Sequence, residues 1–133
     1  MKIHYLDSSA FLKLFLPEPE TEAFVRWIRE IANKTTLVSS EILKVETLRA
    51  LALNHPERVN DAEKVLKTLN VVRVSRANLQ LAARLKPTKL RTLDAIHLST
   101  ALDLSEEDLY FVSYDKLLLE AAKINGLQTL TPS

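Results

Sequence analysis

Short apolar runs of strand length alternate with amphipathic helical segments along the whole chain, and this alternation most narrows the folds open to it. Ile3-His4-Tyr5-Leu6 ends in Asp7-Ser8-Ser9, residue types that favour helix N-caps, so a strand is expected to run into a helix at about residue 8. Ala10, Phe11, Leu14 and Phe15 recur at helical spacing until Pro17 and Pro19 end that helix. A second helix carries Phe24, Trp27, Ile28 and Ile31 on one face. Thr35-Thr36-Leu37-Val38 has strand content, and Ser39-Ser40 are expected to cap a third helix over residues 41–54, with Ile42, Val45, Leu48 and Ala52 apolar. Pro56 suits the first turn of a fourth helix, where Ala62, Val65, Leu66 and Leu69 follow the helical period. Val71-Val72-Arg73-Val74 reads as a strand, and Ser75 as the cap of a helix that Pro87-Thr88 breaks. Thr92 is expected to begin and cap a sixth helix, with Leu93, Ile96 and Leu102 periodic. Leu109-Tyr110-Phe111-Val112-Ser113 is apolar throughout, Asp115 caps a helix over 116–125, Gly126 closes it, and 127–130 form a last short strand.

Strands alternating with helices predict a parallel sheet enclosed by helical layers. The strand before Tyr114 is apolar on both faces, as a strand buried on both sides must be. The expectation is a single domain over residues 1–133, a three-layer α/β/α sandwich with a central, mostly parallel sheet of four to five short strands. The acidic run Glu106-Glu107-Asp108 is expected in a solvated loop.

The residue inventory removes several chemistries. With no cysteine, the chain has no disulfide framework, zinc finger, iron–sulfur site or thiol nucleophile. Its one glycine, Gly126, lies near the end, so neither a P-loop nor a GxGxxG dinucleotide turn is present. No uncharged stretch approaches the roughly 18 residues of a membrane helix, and the first residues lack the apolar region of a signal peptide. A cytoplasmic protein with no membrane partner is expected.

Ligands of open α/β sheets bind at the carboxyl ends of the strands. Asp7 and Asp115 lie just past strand ends, Asp94 lies in the first turn of a helix, and Glu46 lies inside one. Each has an ordinary explanation as a cap, a dipole partner or an exposed acid. Yet Ser8-Ser9 and Thr92 already offer caps, which makes Asp7 and Asp94 redundant in that role, and Glu46 and Asp94 sit among apolar neighbours. Converging carboxylates repel one another unless a cation compensates them, and hard divalent ions such as Mg²⁺ or Mn²⁺ prefer oxygen ligands. Such a pocket suits phosphodiester hydrolysis, in which an ion activates water and stabilises the transition state.

Four segments then carry a family resemblance. Leu6-Asp7-Ser8-Ser9-Ala10, Ser39-Ser40-Glu41-Ile42-Leu43-Lys44-Val45-Glu46, Leu90-Arg91-Thr92-Leu93-Asp94-Ala95-Ile96-His97-Leu98 and Val112-Ser113-Tyr114-Asp115 resemble, in order, the signature segments of PIN-domain ribonucleases, and more narrowly the VapC toxins of toxin–antitoxin operons. The resemblance implies a PIN-like fold and an Mg²⁺- or Mn²⁺-dependent endoribonuclease. Asp7, Glu46, Asp94 and Asp115 match the family's catalytic, metal-binding acids, with Asp7 and Asp94 touching the principal ion directly and Glu46 and Asp115 acting through water. Ser8 and Ser113 match supporting polar positions near the metal-bound water and the last acid. It also implies an RNA substrate, a cognate small antitoxin, a homodimer, and products with a 5′-phosphate and a 3′-hydroxyl. The alternatives are a PIN-domain nuclease of RNA processing outside such a pair, or a PIN fold that binds without cleaving.

Other side chains are weighed on their own. His97, three residues after Asp94, reads as a packed, hydrogen-bonded histidine supporting the site, and Glu41 as an exposed acid about 140° around the helix from Glu46. Lys13, Lys44, Arg49, Lys89 and Arg91 are candidate RNA phosphate contacts, with pairing to Glu46 the alternative for Arg49. The first helices and the fourth, through Leu66 and Leu69, are candidate dimer and antitoxin surfaces. A phospho-receiver domain would need a second acid beside Asp7 and a phosphoacceptor aspartate ending a middle strand, where Ser39-Ser40 stand. A haloacid-dehalogenase-type phosphatase would need an aspartate where Ser9 stands.

Net charge fits an RNA substrate once the four acids are set apart. The chain has 18 basic and 17 acidic residues, so 17 − 4 leaves 13 acids and an exterior of +5 around an acidic pit.

Overall fold

The five apolar runs form five parallel strands, and the helices between them close over both faces of one sheet. The computed structural model describes residues 2–105 and 108–133. The elements are β1 (Lys2–Leu6), α1 (Ser8–Phe11), α2 (Thr21–Ile31), β2 (Thr36–Ser40), α3 (Ile42–Asn54), α4 (Val59–Leu66), β3 (Asn70–Val72), α5 (Arg76–Ala82), α6 (Thr92–Asp103), β4 (Asp108–Val112), α7 (Lys116–Ile124) and β5 (Gln128–Leu130). Single 3₁₀ turns at Leu12–Leu14 and Pro56–Arg58 prolong α1 and lead into α4. Of the acidic run before β4, Glu106 and Glu107 lie outside the described residues, and Asp108 begins the strand itself, exposed.

Strand order is β3-β2-β1-β4-β5, with Tyr5 opposite both Val38 and Phe111 and Leu6 opposite Val112. The chain winds outward from β1 to β3, then crosses back to lay β4 on the other side of β1. The winding therefore reverses between β1 and β4, and the crevice outside their carboxyl ends is where such sheets bind ligands. Alternate strand residues feed two cores. Tyr5, Val38 and Phe111 cluster with Leu98 and Ala101 of α6 and Leu118, Ala121 and Ala122 of α7. Leu6 and Val112 cluster with side chains of α1 to α4, among them Phe11, Phe24, Leu43, Leu51 and Leu66. Burying each large apolar side chain contributes roughly 1.5–3 kcal/mol. After α7, Gly126 takes φ +92, the left-handed conformation that turns the chain into β5.

Several local expectations give way to tertiary packing. Ser39 and Ser40 are buried strand residues, of which only Ser40 serves the helix, its hydroxyl accepting from the Ile42 N–H at 3.3 Å; the Ser39 hydroxyl donates to the Leu6 carbonyl at 2.6 Å and so ties β2 to the end of β1. Helix α3 buries Leu43, Thr47 and Leu51, whereas Val45 is 59% and Leu53 81% exposed. Apolar residues surround that helix, so spacing alone permits more than one inward face. Thr92 makes no cap: Arg91 holds the N-cap position of α6 without a side-chain bond, and Leu93 is exposed. Leu66 is core and so is not available as a docking surface.

In the middle of β1, His4 is buried, stacked on Tyr110 at 5.4 Å, edge-on to Trp27 at 5.2 Å, and bonded through Nδ1 to the Thr35 hydroxyl at 2.8 Å. Burial, helped by the Lys2 ammonium and opposed by Asp108, holds its pKa below the ordinary value. Below about pH 6.5 the unfolded chain then binds more protons at this residue than the folded one, so its contribution to stability falls with pH. Thermal melts between pH 8 and 5 are expected to show the wild type losing more stability than His4→Gln over that range. A parallel loss in both proteins would remove His4 from the explanation.

Candidate active site

Each acid reaches the crevice from a different part of the chain. Asp7 directly follows β1, where the chain must turn into α1, and it serves as the N-cap: Oδ1 accepts from the Ala10 N–H at 2.8 Å. The expected redundancy with Ser8 and Ser9 is thus absent, because Asp7 does the capping and Ser9 turns to support it. The Ser9 hydroxyl lies 2.8 and 2.9 Å from the two Asp7 oxygens, and the Ser113 hydroxyl donates to Oδ2 at 2.6 Å. Asp7 is 2% exposed. Burial raises its pKa above the ordinary carboxylate value, against the pull of these donors, with Ser113 the strongest.

Ser113, fully buried at the end of β4, also accepts from the Asp115 N–H at 3.0 Å, and Asp115 caps α7 by accepting from Leu118 N–H at 3.1 Å. Two adjacent strand ends are thereby joined through one serine. Asp94 stands in the first turn of α6, where burial and the neighbouring Asp115 raise its pKa and Arg91 opposes them. The Arg91 guanidinium lies 3.4 Å from both Asp94 and Asp115. Its side chain is 79% exposed, so it spans the two carboxylates at the mouth of the site.

Glu46, partly buried on α3, completes the group. Ser8 donates to its Oε2 at 3.3 Å, and His97 Nε2 lies 2.5 Å from Oε1. The reading of His97 as a buried, hydrogen-bonded residue holds: its other ring nitrogen is 2.7 Å from the hydroxyl of Tyr5.

The basic residues divide differently from the sequence expectation. Lys13 is 6% exposed and paired with Glu18 at 3.1 Å and Glu20 at 3.3 Å, with its ammonium over the Tyr114 ring, so its charge is already spent within the fold. Lys44, about 200° around α3 from Glu46, lines a separate cavity with Glu63 and Lys67, away from the acids. Arg49 is exposed on α3, and the Glu46 carboxylate is taken by Ser8 and His97 instead. Lys89 is exposed before α6, and Glu41 is exposed as expected, accepting from Val74 N–H at 2.9 Å. Of these, Arg91 alone touches the acids.

Sequence reasoning missed Ser9 and Tyr5. Ser9 could have been found, since a hydroxyl two residues after a capping aspartate can reach back to it. Tyr5 carries no local signal, because its hydroxyl meets His97 only through pairing of elements 92 residues apart.

Among the described residues, no three acid or histidine side chains already form a coordination cluster. The donor set nonetheless suits a hard divalent ion: it consists of carboxylates, two of them energetically penalised for their charge, and the cation now spanning Asp94 and Asp115 is on an exposed side chain.

The PIN domain family matches residues 4–124. Ribonuclease VapC46 of Mycobacterium tuberculosis is 39% identical over 129 residues, covering 97% of both chains, and Ribonuclease VapC47 of the same species is 32% identical over 130 residues, covering 96% of both. Among solved structures, VapBC2 from Rickettsia felis bound to a promoter DNA fragment superimposes with a TM-score of 0.76 at 13% identity, covering 98% of this chain and 99% of that one, a likeness of fold alone. The family match, the full-length relatives and the order of the acids agree: the chain belongs to the PIN-domain ribonucleases, in their VapC branch.

Proposed function

We propose that this chain is an endoribonuclease that hydrolyses RNA phosphodiester bonds at Asp7, Glu46, Asp94 and Asp115, dependent on Mg²⁺ or Mn²⁺, and that it is the toxin of a toxin–antitoxin pair. One observation carries the reading: four carboxylates from four separate segments are linked through Ser8, His97, Ser113 and Arg91 near the point where the sheet reverses direction, and two of them, Asp7 and Asp94, are held above their ordinary pKa. Asp7 and Asp94 would hold the ion directly, with Glu46 and Asp115 supporting it through water; once bound, it supplies a water of lowered pKa and charge compensation at the phosphate. The rest falls to the protein. Ser9 and Ser113 fix the Asp7 carboxylate, and Ser113 fixes the backbone of Asp115 as well. Arg91 at the mouth and Arg49 on the exposed side of α3 offer guanidinium groups to the RNA backbone.

The partners follow from the same reading: an RNA substrate, a small antitoxin and a second copy of this chain. A toxin-antitoxin complex from Klebsiella pneumoniae shares the fold and supports the antitoxin assignment. Leu79 and Leu81, both exposed on α5, are candidates for the dimer contact in place of Leu66.

Purified protein incubated with total bacterial RNA in Mg²⁺ is expected to release fragments with 5′-phosphate and 3′-hydroxyl ends. Excess chelator is expected to stop cleavage, and added Mn²⁺ to restore it. Cleavage undiminished in chelator, or fragments ending in a 2′,3′-cyclic phosphate, would contradict hydrolysis by a metal-dependent carboxylate site.

A further inference from the structure

The Glu46 carboxylate is held by a chain of polar groups that crosses the carboxyl edge of the sheet. Tyr5 lies on the face that packs against α6 and α7, and Glu46 stands on α3, which covers the other face. His97 of α6 joins them: the Tyr5 hydroxyl is 2.7 Å from Nδ1, and Nε2 is 2.5 Å from Glu46 Oε1. Tyr5 and His97 are both fully buried, with their rings edge-to-face at 5.7 Å.

An ionised carboxylate only accepts hydrogen bonds, so the proton facing Glu46 belongs to His97 Nε2. Nδ1 then faces a phenol that can give or take a hydrogen bond, and the imidazole is satisfied on both sides. A histidine that needed only burial could have bonded any backbone carbonyl. This one spends both nitrogens on side chains of two other elements, and one of those is an acid of the site. It also stands three residues after Asp94 on the same helix, so the contact sets α3 and α6, and with them Glu46 and Asp94, in fixed relation. The two Glu46 oxygens are unequally held. Oε1 has the short bond to His97, while Oε2 has only the longer 3.3 Å bond from Ser8 and is the oxygen left to turn into the site.

We propose that Tyr5 and His97 are positioning residues of the ribonuclease site: the Tyr5–His97 pair locks Glu46 Oε1 so that Oε2 is presented, already ordered, to the divalent ion or its water. The role rests on the reading of Glu46 as one of the metal-site acids. Ordering the glutamate in the empty protein removes entropy that ion binding would otherwise have to overcome.

The test is calorimetric titration of Mn²⁺ into the wild type, His97→Leu, His97→Gln and Tyr5→Phe, with cleavage kinetics on one RNA. Loss of such a supporting group typically weakens metal binding about 10- to 100-fold, and His97→Leu is expected in that range. Its kcat should fall while KM for RNA is unchanged. His97→Gln keeps an N–H donor and should recover part of the affinity, and Tyr5→Phe, which keeps the ring, should weaken binding less than His97→Leu. In a Glu46→Gln background, His97→Leu should cost nothing further. If His97→Leu fails to fold, the other two variants decide.

Variants that bind Mn²⁺ and cleave like the wild type would overturn the positioning role. So would an undiminished loss in the Glu46→Gln background, which would mark His97 as purely structural. A wild type that itself binds no ion would bring down the metal reading and this role with it, an outcome distinct from a wild type that binds beside variants that also bind.

Discussion

Replacing Asp7 by asparagine is expected to reduce RNA cleavage by at least about 10³-fold, beyond the roughly 10- to 100-fold typical for a supporting group, while making the folded chain more resistant to heat. Both effects have one origin. The carboxylate lies in a nearly closed site, where burial disfavours its charge more than Ser113, Ser9 and the Ala10 N–H favour it. Asparagine is close to isosteric. Its carbonyl can still accept the capping bond from Ala10, and the two serine hydroxyls can rotate to accept from its amide. The cap survives and the buried charge does not.

The sign follows from linkage. A carboxyl whose folded pKa exceeds its unfolded value is more protonated in the fold, so stability rises as pH falls through the folded pKa toward the unfolded one. The wild type is therefore penalised at neutral pH, and Asp7→Asn escapes that penalty. The gain should be about 1 kcal/mol, typical when a functional group held at a cost is neutralised, or roughly 3–5 °C in Tm. The gap between the two proteins should narrow as the pH is lowered toward 4. Melts and initial cleavage rates on the same preparations check both halves; a variant that is inactive because it is unfolded would separate them.

Phe111→Ala is expected to cost about 3–5 kcal/mol of folding stability, a large share of the roughly 5–15 kcal/mol available to a small domain. Phe111 is fully buried on β4, stacked on Tyr5 at 5.4 Å with the rings 9° from parallel, in the cluster with Leu98 and Leu118. Truncation opens a cavity between the sheet and the helices that carry Asp94 and Asp115. Because Tyr5 is the neighbour that loses support, cleavage should fall even in the fraction that stays folded. Denaturant unfolding should show a lower midpoint with an unchanged slope. Leu53→Ala, on the exposed side of α3, should stay within about 0.5 kcal/mol of the wild type. A loss below about 1 kcal/mol at Phe111 would mean the core collapses around the gap.

The fold was legible wherever a single local cause decides. Strand runs such as Leu109 to Val112 have the composition of doubly buried strands, and Gly126 marks the one turn among the described residues that takes positive φ. It was illegible where two local causes compete. Ser39-Ser40 reads as a cap by composition, yet pairing with β3 keeps both residues in the strand, and only the Ser40 hydroxyl reaches the start of α3. Helix α3 has apolar residues all round, so only the packing of α1 and α4 selects Leu43, Thr47 and Leu51 as its inner face.

For the candidate site, each of the four proposed acids stands out in the sequence as a carboxylate at a strand end or among apolar neighbours, and the family resemblance assigns their roles. Their surroundings could not. The capture of Lys13 by Glu18 and Glu20 depends on how the chain folds back after Pro17. The spanning of Asp94 and Asp115 by Arg91, and of Tyr5 and Glu46 by His97, depends on contacts 24 to 92 residues apart.

The claim that these acids form one divalent-ion site is tested most directly by titrating Mn²⁺ into the purified chain and into Asp7→Asn and Asp94→Asn. Saturable binding by the wild type, lost or severely weakened in both variants, is the expected result. Wild-type affinity in both variants would show that the ion binds elsewhere, and that Asp7 and Asp94 are a helix cap and the partner of Arg91, and no more.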